Sequence, residues 1–251
     1  MDKKKADSPG IPFNNLEFLH SREARPIRIL SEYIDPEVKF HKNGINHTVV
    51  FFGSARITND VSTPMGRFYR DAEELTFRIA AWSKSIVSQE NKIYVCTGGG
   101  PGIMEAANRG ANRAGEKTIG LNIQLPFEQH PNPYISPELN MEFHYFYMRK
   151  LWFLYQSKAL IAFPGGYGTL DELFESLTLI QTQKIEKGNL PVVLYGSDFW
   201  KKLVDFDYMS DMGLISPDDT GLFKFCDTVD EAFTYLIPRI EKLTKEVNSI
   251  L

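Results

Sequence analysis

The chain has 251 residues, of which 43% are hydrophobic and 24% are charged, and this composition is typical of a folded globular protein. Its formal net charge is −4 and its isoelectric point is about 5.8. The sequence therefore indicates no dominant basic surface, and we do not expect nucleic acid as a partner. No apolar run approaches the roughly 18 residues needed to span a bilayer, so no membrane partner is expected either.

Two cysteines, Cys96 and Cys226, lie in apolar segments of strand length. Such placement is typical of buried free thiols in a reducing compartment. The first residues are charged, and no apolar segment of the kind found in signal peptides follows them. These features together predict a cytoplasmic protein.

Along the chain, apolar segments of strand length alternate with helical patterns. Prolines and a glycine interrupt 1–27, which we interpret as a polar N-terminal tail, and 28–251 is interpreted as a single Rossmann-like domain with a first helix near 27–42. The predicted strands are 48–52, 93–96, 118–123, 141–145, 160–163, 192–195 and 222–226. The predicted helices that follow are 67–87, 103–114, 148–157, 170–183, 199–209 and 229–243.

The predicted strands are continuously apolar, as expected for a sheet that is covered on both faces. Strands that alternate with helices favour a parallel sheet with right-handed crossovers. The sequence therefore predicts an α/β fold, a doubly wound Rossmann-like sandwich with a mostly parallel sheet of about seven strands. Segment 124–137 carries four prolines and is predicted to be a long loop.

Three glycine-rich turns follow predicted strands, at the sheet edge where doubly wound proteins bind ligands. Glycine permits close approach of the backbone to a ligand, and N–H groups at the start of a helix favour an anion. The three turns therefore predict a phosphate site, although tight strand-to-helix turns alone remain the alternative. In chain order the turns contain Gly53 and Ser54, then Gly98, Gly99, Gly100 and Gly102, then Gly165, Gly166, Gly168 and Thr169.

Two better-known phosphate-binding patterns do not match these turns. A P-loop would need lysine where Met104 stands, six residues after Gly98. A dinucleotide fingerprint would need a final glycine where Ile103 and Asp171 stand. A P-loop NTPase and a standard dinucleotide-binding fold are both disfavoured.

Glu172 is the candidate acid beside the third turn. Thr169 and Glu172 have the spacing of a capping box, in which the threonine caps a helix and the glutamate binds back to the cap. Residues 228–231 have the same form without preceding glycines, and for them capping alone is expected. At Glu172 the glycine turn places the carboxylate beside the proposed anion site, so a cap and a functional acid are both open. Glu175 lies one turn later on the same predicted face.

Arg149 and Lys150 lie at the start of the helix that precedes the strand leading to Glu172. A cation in the first turn opposes the helix dipole, so a purely helix-stabilising role is disfavoured. The arginine is therefore a candidate for the ligand site, and a solvated charge or an ion pair with a carboxylate is the alternative.

These segments resemble the Lonely Guy (LOG) family, whose members were long labelled possible lysine decarboxylases. The resemblance rests on Met148-Arg149-Lys150, on the nine residues 164–172, and on the turns at 53–54 and 98–104. It implies a phosphoribohydrolase that cleaves the N-glycosidic bond of a nucleoside 5′-monophosphate such as AMP or an N6-substituted AMP. In plants and some microbes the base released by this family is a cytokinin.

The resemblance also implies roles for individual residues. Arg149 and Glu172 correspond to the family's catalytic pair, and the turns at 98–102 and 165–169 correspond to its phosphate contacts. Met148, Lys150 and Glu175 are expected beside the substrate. Compact members usually have a glutamate where this chain has Met148, so the resemblance does not extend to cytokinin specificity and leaves the preferred base open.

Partners and cofactors complete the expectations from sequence. No cofactor is expected, because Lys84 and Lys158 lie in nothing that resembles a pyridoxal phosphate site, and no metal is expected because the five histidines are scattered. The resemblance implies a homodimer or higher homo-oligomer, with the aromatic residues of 143–155 at the interface. A non-catalytic nucleotide-binding or carrier protein on the same fold is the alternative function.

Overall fold

The structure is a computed structural model that describes residues 10–86, 88–126, 130–185 and 190–245. In these ranges seven parallel strands form one sheet in the order β4-β3-β2-β1-β5-β6-β7, which confirms the predicted fold class. The strands are β1 His47–Phe52, β2 Ile93–Thr97, β3 Thr118–Ile123, β4 Asn140–Phe143, β5 Ser157–Ala162, β6 Val192–Tyr195 and β7 Lys224–Cys226. The α-helices are α1 Leu16–His20, α2 Arg25–Asn43, α3 Gly66–Lys84, α4 Ile103–Arg113, α5 Phe146–Tyr155, α6 Tyr167–Gln181, α7 Ser197–Leu203, α8 Phe206–Asp211 and α9 Val229–Lys245.

Helices cover both faces of the sheet, which explains why its strands are apolar throughout. Val49 and Phe51 of β1 pack with α3, α4 and α9, whereas Val50 and Phe52 pack with α2, α5, α6 and α7. Burial of such a side chain stabilises the fold by about 1.5–3 kcal/mol. Cys96 and Cys226 are free and buried, as predicted.

The sheet topology brings the three glycine turns together. The chain starts at the central strand β1, runs outward through β2, β3 and β4, and then returns to the other side of β1 with β5. The neighbours of β1 are therefore β2 and β5, and these three strands are the ones that end in glycine turns. The crevice at such a change of strand order is where doubly wound proteins bind ligands.

Helix α2 covers the aromatic face of α5. The ring of Trp152 lies 5.7 Å from that of Tyr33 and 5.5 Å from that of Phe40. Pro36 has no N–H to donate within α2, and the carbonyl of Glu32, four residues earlier, accepts instead from the Trp152 indole at 3.1 Å. The N-terminal helix is thereby anchored on the domain.

The expected interface role of the 143–155 aromatic residues is wrong for most of them. Phe143, Trp152 and Phe153 are buried inside the chain itself, and Tyr145 is 8% exposed. The physical reason is that α2 covers Trp152 and Tyr145, whereas Phe153 packs against Phe52 beside the cavity. Phe146 remains half exposed.

Several predicted boundaries differ from the structure. The predicted helix 199–209 is two helices, because the Asp205 side chain accepts from Tyr208 N at 2.9 Å and starts α8 as a new helix. Within the predicted loop 124–137, residues 127–129 lie outside the described residues, and a short 3-10 turn begins at Pro137. In the part of the chain that the structure describes, no helix combines the length and apolar character needed to cross a membrane.

Part of the predicted N-terminal tail has helical structure. Residues 1–9 lie outside the described residues, but α1 follows and α2 begins at Arg25. Arg28 of α2 donates to the carbonyls of Leu19 and Ser21 at 2.6 and 2.7 Å, which ties the two helices together. The division of the chain into a tail and one domain stays a prediction.

Candidate functional site

A cavity of about 710 Å³ lies at the carboxyl edge of β2, β1 and β5. All three glycine turns line it, as the sequence predicted for turns that share one sheet edge. The backbone of Ser54 joins them, since its N–H donates to the Pro164 carbonyl and its carbonyl accepts from Ile103 N, both at 3.0 Å. The predicted residues that line the cavity are Gly53, Ser54, Gly98, Arg149, Gly165, Gly166, Gly168, Thr169 and Glu172.

Arg149 and Glu172 form a buried ion pair in the cavity wall. Helices α5 and α6 flank β5, so residues 23 positions apart in sequence meet, with Arg149 Nη2 at 3.0 Å from Glu172 Oε1. Their side chains are 12% and 8% exposed. Because little water surrounds the two charges, they interact strongly with each other and with any charged group that enters the cavity.

Burial also moves both pKa values of this pair. Removal of water raises the pKa of the Glu172 carboxyl to about 7, and the nearby cations Arg149 and Lys150 offset only part of that effect. Burial lowers the pKa of Arg149, although Glu172 opposes the change and a guanidinium stays protonated at neutral pH. Glu172 is therefore a carboxyl group that can take or release a proton near neutrality.

The hydrogen bond to Glu172 satisfies only part of the Arg149 guanidinium. Its Nε is buried and has no hydrogen-bond partner within the described residues. The rings of Phe146 and Phe153 lie 5.3 and 5.4 Å from its Cζ and fix its plane. An unsatisfied buried donor is costly, at about 1–3 kcal/mol.

The predicted capping box at Thr169 is wrong. Helix α6 begins at Tyr167, Gly166 occupies the N-cap without a side-chain cap, and the first turn contains no acid. Thr169 is instead buried inside the first turn, where its side chain packs against Gly165. Glu172 lies in the second turn and faces Arg149, because burial of this pair rather than capping sets its position.

The matching segment at Thr228 does form a cap, as predicted. Thr228 Oγ1 accepts from Glu231 N at 3.2 Å, and the Glu231 carboxylate accepts from Asp227 N at 2.9 Å. Two segments with the same T-x-x-E pattern therefore use their glutamates differently.

Of the turn after β2, only Gly98 lines the cavity. A Cβ on Gly99 would overlap the side chain of Asn122, and the carbonyls of Gly99 and Gly100 both accept from Asn132 Nδ2 at 3.1 Å. The role of Gly99, Gly100 and Gly102 in holding phosphate stays a prediction.

Gly102 allows a substitution test of this packing. Its φ of 72° favours glycine, and a Cβ there would overlap the Ser54 carbonyl oxygen. We expect Gly102→Ala to lower the free energy of unfolding by at least about 3 kcal/mol, because strain and overlap add. Chemical denaturation measures this change.

Gly213 is the matched control for Gly102. It has a φ of 69°, and nothing in the described residues lies within 4 Å of its Cβ position. Gly213→Ala should therefore cost only the conformational strain, about 1 kcal/mol. Equal losses for the two alanine variants would contradict a steric role for Gly102.

Besides Gly99, Gly100 and Gly102, three more predicted binding residues lie outside the cavity lining: Met148, Lys150 and Glu175. Met148 is buried in the hydrophobic core. Lys150 Nζ lies 2.8 Å from Asp171 and 2.7 Å from Glu175, and so links α5 to α6 beside the Arg149–Glu172 pair. Lys150 supplies the expected positive charge near Glu172, but its side chain does not line the cavity.

Nine residues of the cavity lining were not among the predicted site residues: Phe52, Ala55, Arg56, Met104, Ile123, Phe153, Tyr167, Leu170 and Leu203. Tyr167 is 93% exposed, and it stands at the variable position of the glycine motif. Arg56 lies two residues beyond Ser54. Proximity to the glycine turns is the signal that could have identified Arg56 and Tyr167. A variable residue within or beside such a turn faces the same crevice as the glycines.

A family model described as "Possible lysine decarboxylase" matches residues 104–236, more than half of the chain. The match includes Arg149, Glu172 and the whole turn between them.

The chain belongs to this family.

The chain is similar to curated members that carry an activity in their names. It is 32% identical over 133 residues to cytokinin riboside 5′-monophosphate phosphoribohydrolase LOG7 of Arabidopsis thaliana, over 51% of this chain and 58% of that protein. It is 29% identical over 187 residues to "Probable cytokinin riboside 5′-monophosphate phosphoribohydrolase LOGL3" of Oryza sativa subsp. japonica, over 69% of this chain and 83% of that protein. The chain thus spans little more than half of LOG7.

Solved structures share the fold at lower identity. The molybdenum cofactor binding protein of Rippkaea orientalis aligns with a TM-score of 0.52 at 20% identity, over 77% of this chain and 95% of that one. The molybdenum cofactor carrier protein of Chlamydomonas reinhardtii aligns with a TM-score of 0.51 at 21% identity, over 78% and 98%. The fold therefore occurs in proteins named as carriers.

The name of the possible lysine decarboxylase family implies a pyridoxal phosphate lysine, and the cavity does not fit that group. Among the described residues, its lining contains no lysine. Lys158 is buried in β5, and Lys84 donates to the Ala114 carbonyl at 3.0 Å. Lys150 is held by its two carboxylates.

Proposed function

We propose that this protein hydrolyses the N-glycosidic bond of a purine nucleoside 5′-monophosphate, AMP or an N6-substituted AMP, to the free base and ribose 5-phosphate. The observation that carries the proposal is the buried Arg149–Glu172 pair in a 710 Å³ cavity rimmed by glycine turns. Membership in the family and the names of LOG7 and LOGL3 support it. With an N6-prenylated nucleotide the released base would be a cytokinin.

The start of α6 is the proposed phosphate site. Gly165, Gly166, Gly168 and Thr169 all line the cavity. Within the described residues, nothing lies within 4 Å of the Cβ positions of Gly166 and Gly168, so the backbone is open to a ligand. The N–H groups and the dipole of this 15-residue helix favour a phosphate dianion.

Glu172 is the proposed general base. Water adds to C1′ of the ribose while the bond from C1′ to the base nitrogen breaks, and the base leaves with the bonding electron pair and takes up a proton, which balances the proton lost by water. The sugar develops oxocarbenium character, which a carboxylate stabilises while it takes the proton from water. A pKa of about 7 suits this proton transfer at neutral pH.

Arg149 is proposed to orient the reacting groups. It holds Glu172 through Nη2, and its side chain lines the cavity. A guanidinium at this place can bind an oxygen of ribose or a nitrogen of the departing base. The pair thus acts on both sides of the breaking bond.

The pKa of Glu172 predicts the pH dependence. Because the ionised carboxyl is the base, kcat/KM should fall about tenfold per pH unit below pH 7 and level off above it. Lys150 lowers the pKa of Glu172, so Lys150→Met should move this limb to higher pH. The substrate phosphate also titrates near pH 6, but Lys150→Met would not shift a pH dependence that arises from the phosphate. An unshifted pH profile of kcat/KM in Lys150→Met would therefore contradict the assignment of this pKa to Glu172.

A non-catalytic carrier is the second candidate function. Its support is the fold shared with the molybdenum cofactor carrier protein, which shows only that this fold also occurs in a carrier. A carrier needs the glycine turns but not a buried acid. Tight binding of AMP without release of adenine would favour this alternative.

The direct test is incubation of the purified protein with AMP and with N6-isopentenyl-AMP, followed by chromatography of the products. The proposal expects free base and ribose 5-phosphate in equal amounts. A binding measurement by calorimetry in parallel separates the two candidates, since turnover and binding without turnover give different results. Absence of both binding and turnover for both nucleotides would reject the substrate class.

Two further properties belong to the proposal. We expect a homodimer or larger homo-oligomer, as the resemblance implies, and a cytoplasmic location, as the buried thiols suggest. Sedimentation of the full chain and fractionation of cells test them.

A further inference from the structure

Arg56 is an arginine of the cavity lining whose charge has no partner. Its side chain is exposed and lines the cavity, and within the described residues its guanidinium makes no ion pair, hydrogen bond or ring contact. Other exposed arginines of the chain are paired, since Arg78 lies 2.6 Å from Asp230 and Arg113 lies 2.9 Å from Glu73. The Arg56 guanidinium is therefore available to an anion in the cavity.

The segment that carries Arg56 is fixed from two sides. The Ser54 N–H donates to the Pro164 carbonyl, and the Ser54 carbonyl accepts from Ile103 N. The Ser54 hydroxyl accepts from Arg56 N at 3.1 Å, and Ile57 is buried in the core. Because Pro164 directly precedes the glycine turn at the start of α6, the backbone of Arg56 is held beside that turn.

Arg56 determines the net charge of the cavity lining. Among the described residues that line the cavity, the charged side chains are Arg56, Arg149 and Glu172. Arg149 and Glu172 form an ion pair with each other and together contribute no net charge, so Arg56 leaves the lining with one positive charge. A phosphate monoester carries a charge of about −1.5 to −2 near pH 7. The lining is thus complementary to a nucleotide and not to a neutral nucleoside.

We propose that Arg56 makes the site selective for a 5′-phosphate, by binding the phosphate group held at the start of α6. This role, which rests on the proposed function, adds the residue that distinguishes a nucleotide from the corresponding nucleoside. The open backbone at Gly166 and Gly168 supplies N–H donors, and the guanidinium supplies a fork of donors together with the opposite charge.

The other cations near the cavity are less suited to a phosphate. Arg149 has the Glu172 carboxylate 3.0 Å away, and that carboxylate would repel a phosphate dianion. Lys150 is held by Asp171 and Glu175 and does not line the cavity. Arg56 is therefore the cation of the described lining that can meet a phosphate without a carboxylate paired to it.

Binding of ribose 5-phosphate, measured by calorimetry with the full chain, tests this role. Arg56→Met removes the charge and keeps an unbranched side chain; because Arg56 is exposed, the variant should fold, and thermal melting verifies this. The variant should bind ribose 5-phosphate about 10- to 100-fold more weakly than wild type, as expected for loss of a charged hydrogen-bonding group. Binding of adenosine, which has no phosphate, should be the same in both proteins.

Two further measurements separate a phosphate contact from a structural effect. Arg56→Lys should lie between wild type and Arg56→Met, because lysine keeps the charge without the fork of donors. An increase of NaCl from about 50 to 500 mM should weaken ribose 5-phosphate binding more in wild type than in Arg56→Met, because salt screens the missing charge interaction. With AMP as substrate, KM should rise in Arg56→Met and kcat should change little.

Arg70→Met is the matched control. Arg70 is also exposed, lies 3.4 Å from Asn59 Oδ1 in the segment that follows Arg56, and does not line the cavity. Its replacement removes the same charge from the chain, so Arg70→Met should bind ribose 5-phosphate like wild type.

Four results would overturn the role of Arg56. They are a wild type that binds neither ribose 5-phosphate nor AMP, an Arg56→Met variant that binds ribose 5-phosphate like wild type, an equal loss in Arg70→Met, and an equal loss for adenosine. Failure of the proposed hydrolysis gives a different pattern, in which no base is released from AMP but binding of ribose 5-phosphate still depends on Arg56. Release of adenine with no effect of Arg56→Met would keep the hydrolase and reject only this residue.

Discussion

Glu172→Gln is expected to lower kcat for release of base from AMP by about 10²–10⁴-fold, the range for loss of a general base. Glutamine keeps the shape of the side chain and an oxygen that can accept from Arg149 Nη2, now 3.0 Å from the carboxylate. It cannot take a proton from water. Steady-state kinetics with chromatographic detection of adenine measures the change, and KM should move much less than kcat.

Glutamine is the informative substitution because the pair is buried. Removing one member of a buried ion pair leaves the other charge uncompensated, at a cost of about 3–5 kcal/mol. Arg149→Ala would therefore lose activity through the fold as well as through chemistry. Glu172→Gln leaves the Arg149 charge without its partner but keeps the hydrogen bond and the packing, so its melting temperature should fall less than that of Arg149→Ala.

The chain contains a control for this experiment. Glu231 occupies the equivalent position of the second T-x-x-E segment and serves only as a cap. Glu231→Gln should leave kcat unchanged. A Glu172→Gln enzyme with wild-type kcat and an unaltered pH profile would remove Glu172 from the mechanism and leave the cavity as a binding site.

Asn108→Leu is expected to lower the free energy of unfolding by about 3 kcal/mol. Asn108 is fully buried in α4. Its Oδ1 accepts from Thr97 Oγ1 at 2.7 Å and from Asn132 Nδ2 at 2.9 Å, and its Nδ2 donates to Thr118 Oγ1 and the Ile119 carbonyl. Leucine is similar in size but leaves several buried polar groups without a partner, each worth about 1–3 kcal/mol.

The same network holds the turn after β2. Thr97 Oγ1 accepts from Gly99 N, and Asn132 donates to the Gly99 and Gly100 carbonyls. Asn108→Leu should therefore also raise KM for AMP, since Gly98 lines the cavity from this turn. Thermal melting should show a decrease of about 6–12 °C for a chain of this size.

Asn112→Leu is the matched control, one turn further along α4 on an exposed position. Its melting temperature should stay within about 2 °C of wild type, as is usual for surface changes. Equal effects of the two leucine variants would show that helix propensity, and not the buried network, accounts for the loss.

The predictions from sequence succeeded where the signal was local. Each of the seven predicted strands has a counterpart in the sheet, and α4 and α9 begin at the predicted residues, because apolar runs and helical periodicity depend on near neighbours. The prediction failed where two segments of equal local sequence differ. Thr228 caps its helix and Thr169 does not, since α6 already begins at Tyr167 and Thr169 lies inside its first turn.

The sequence by itself determined the alternation of strands and helices, the three glycine turns and the residues of the Arg149–Glu172 pair, because each is written in a short segment. The tertiary structure decided what those residues do together. The order β2-β1-β5 brought the turns to one cavity, and burial raised the pKa of Glu172 to about 7. Tertiary packing also placed α2 over the aromatic face of α5 and left Ile27, Leu30, Ile34 and Val38 exposed on its outer side. Each of these outcomes depends on contacts between residues far apart in the chain, where packing and loss of water, not local pattern, set the free energy.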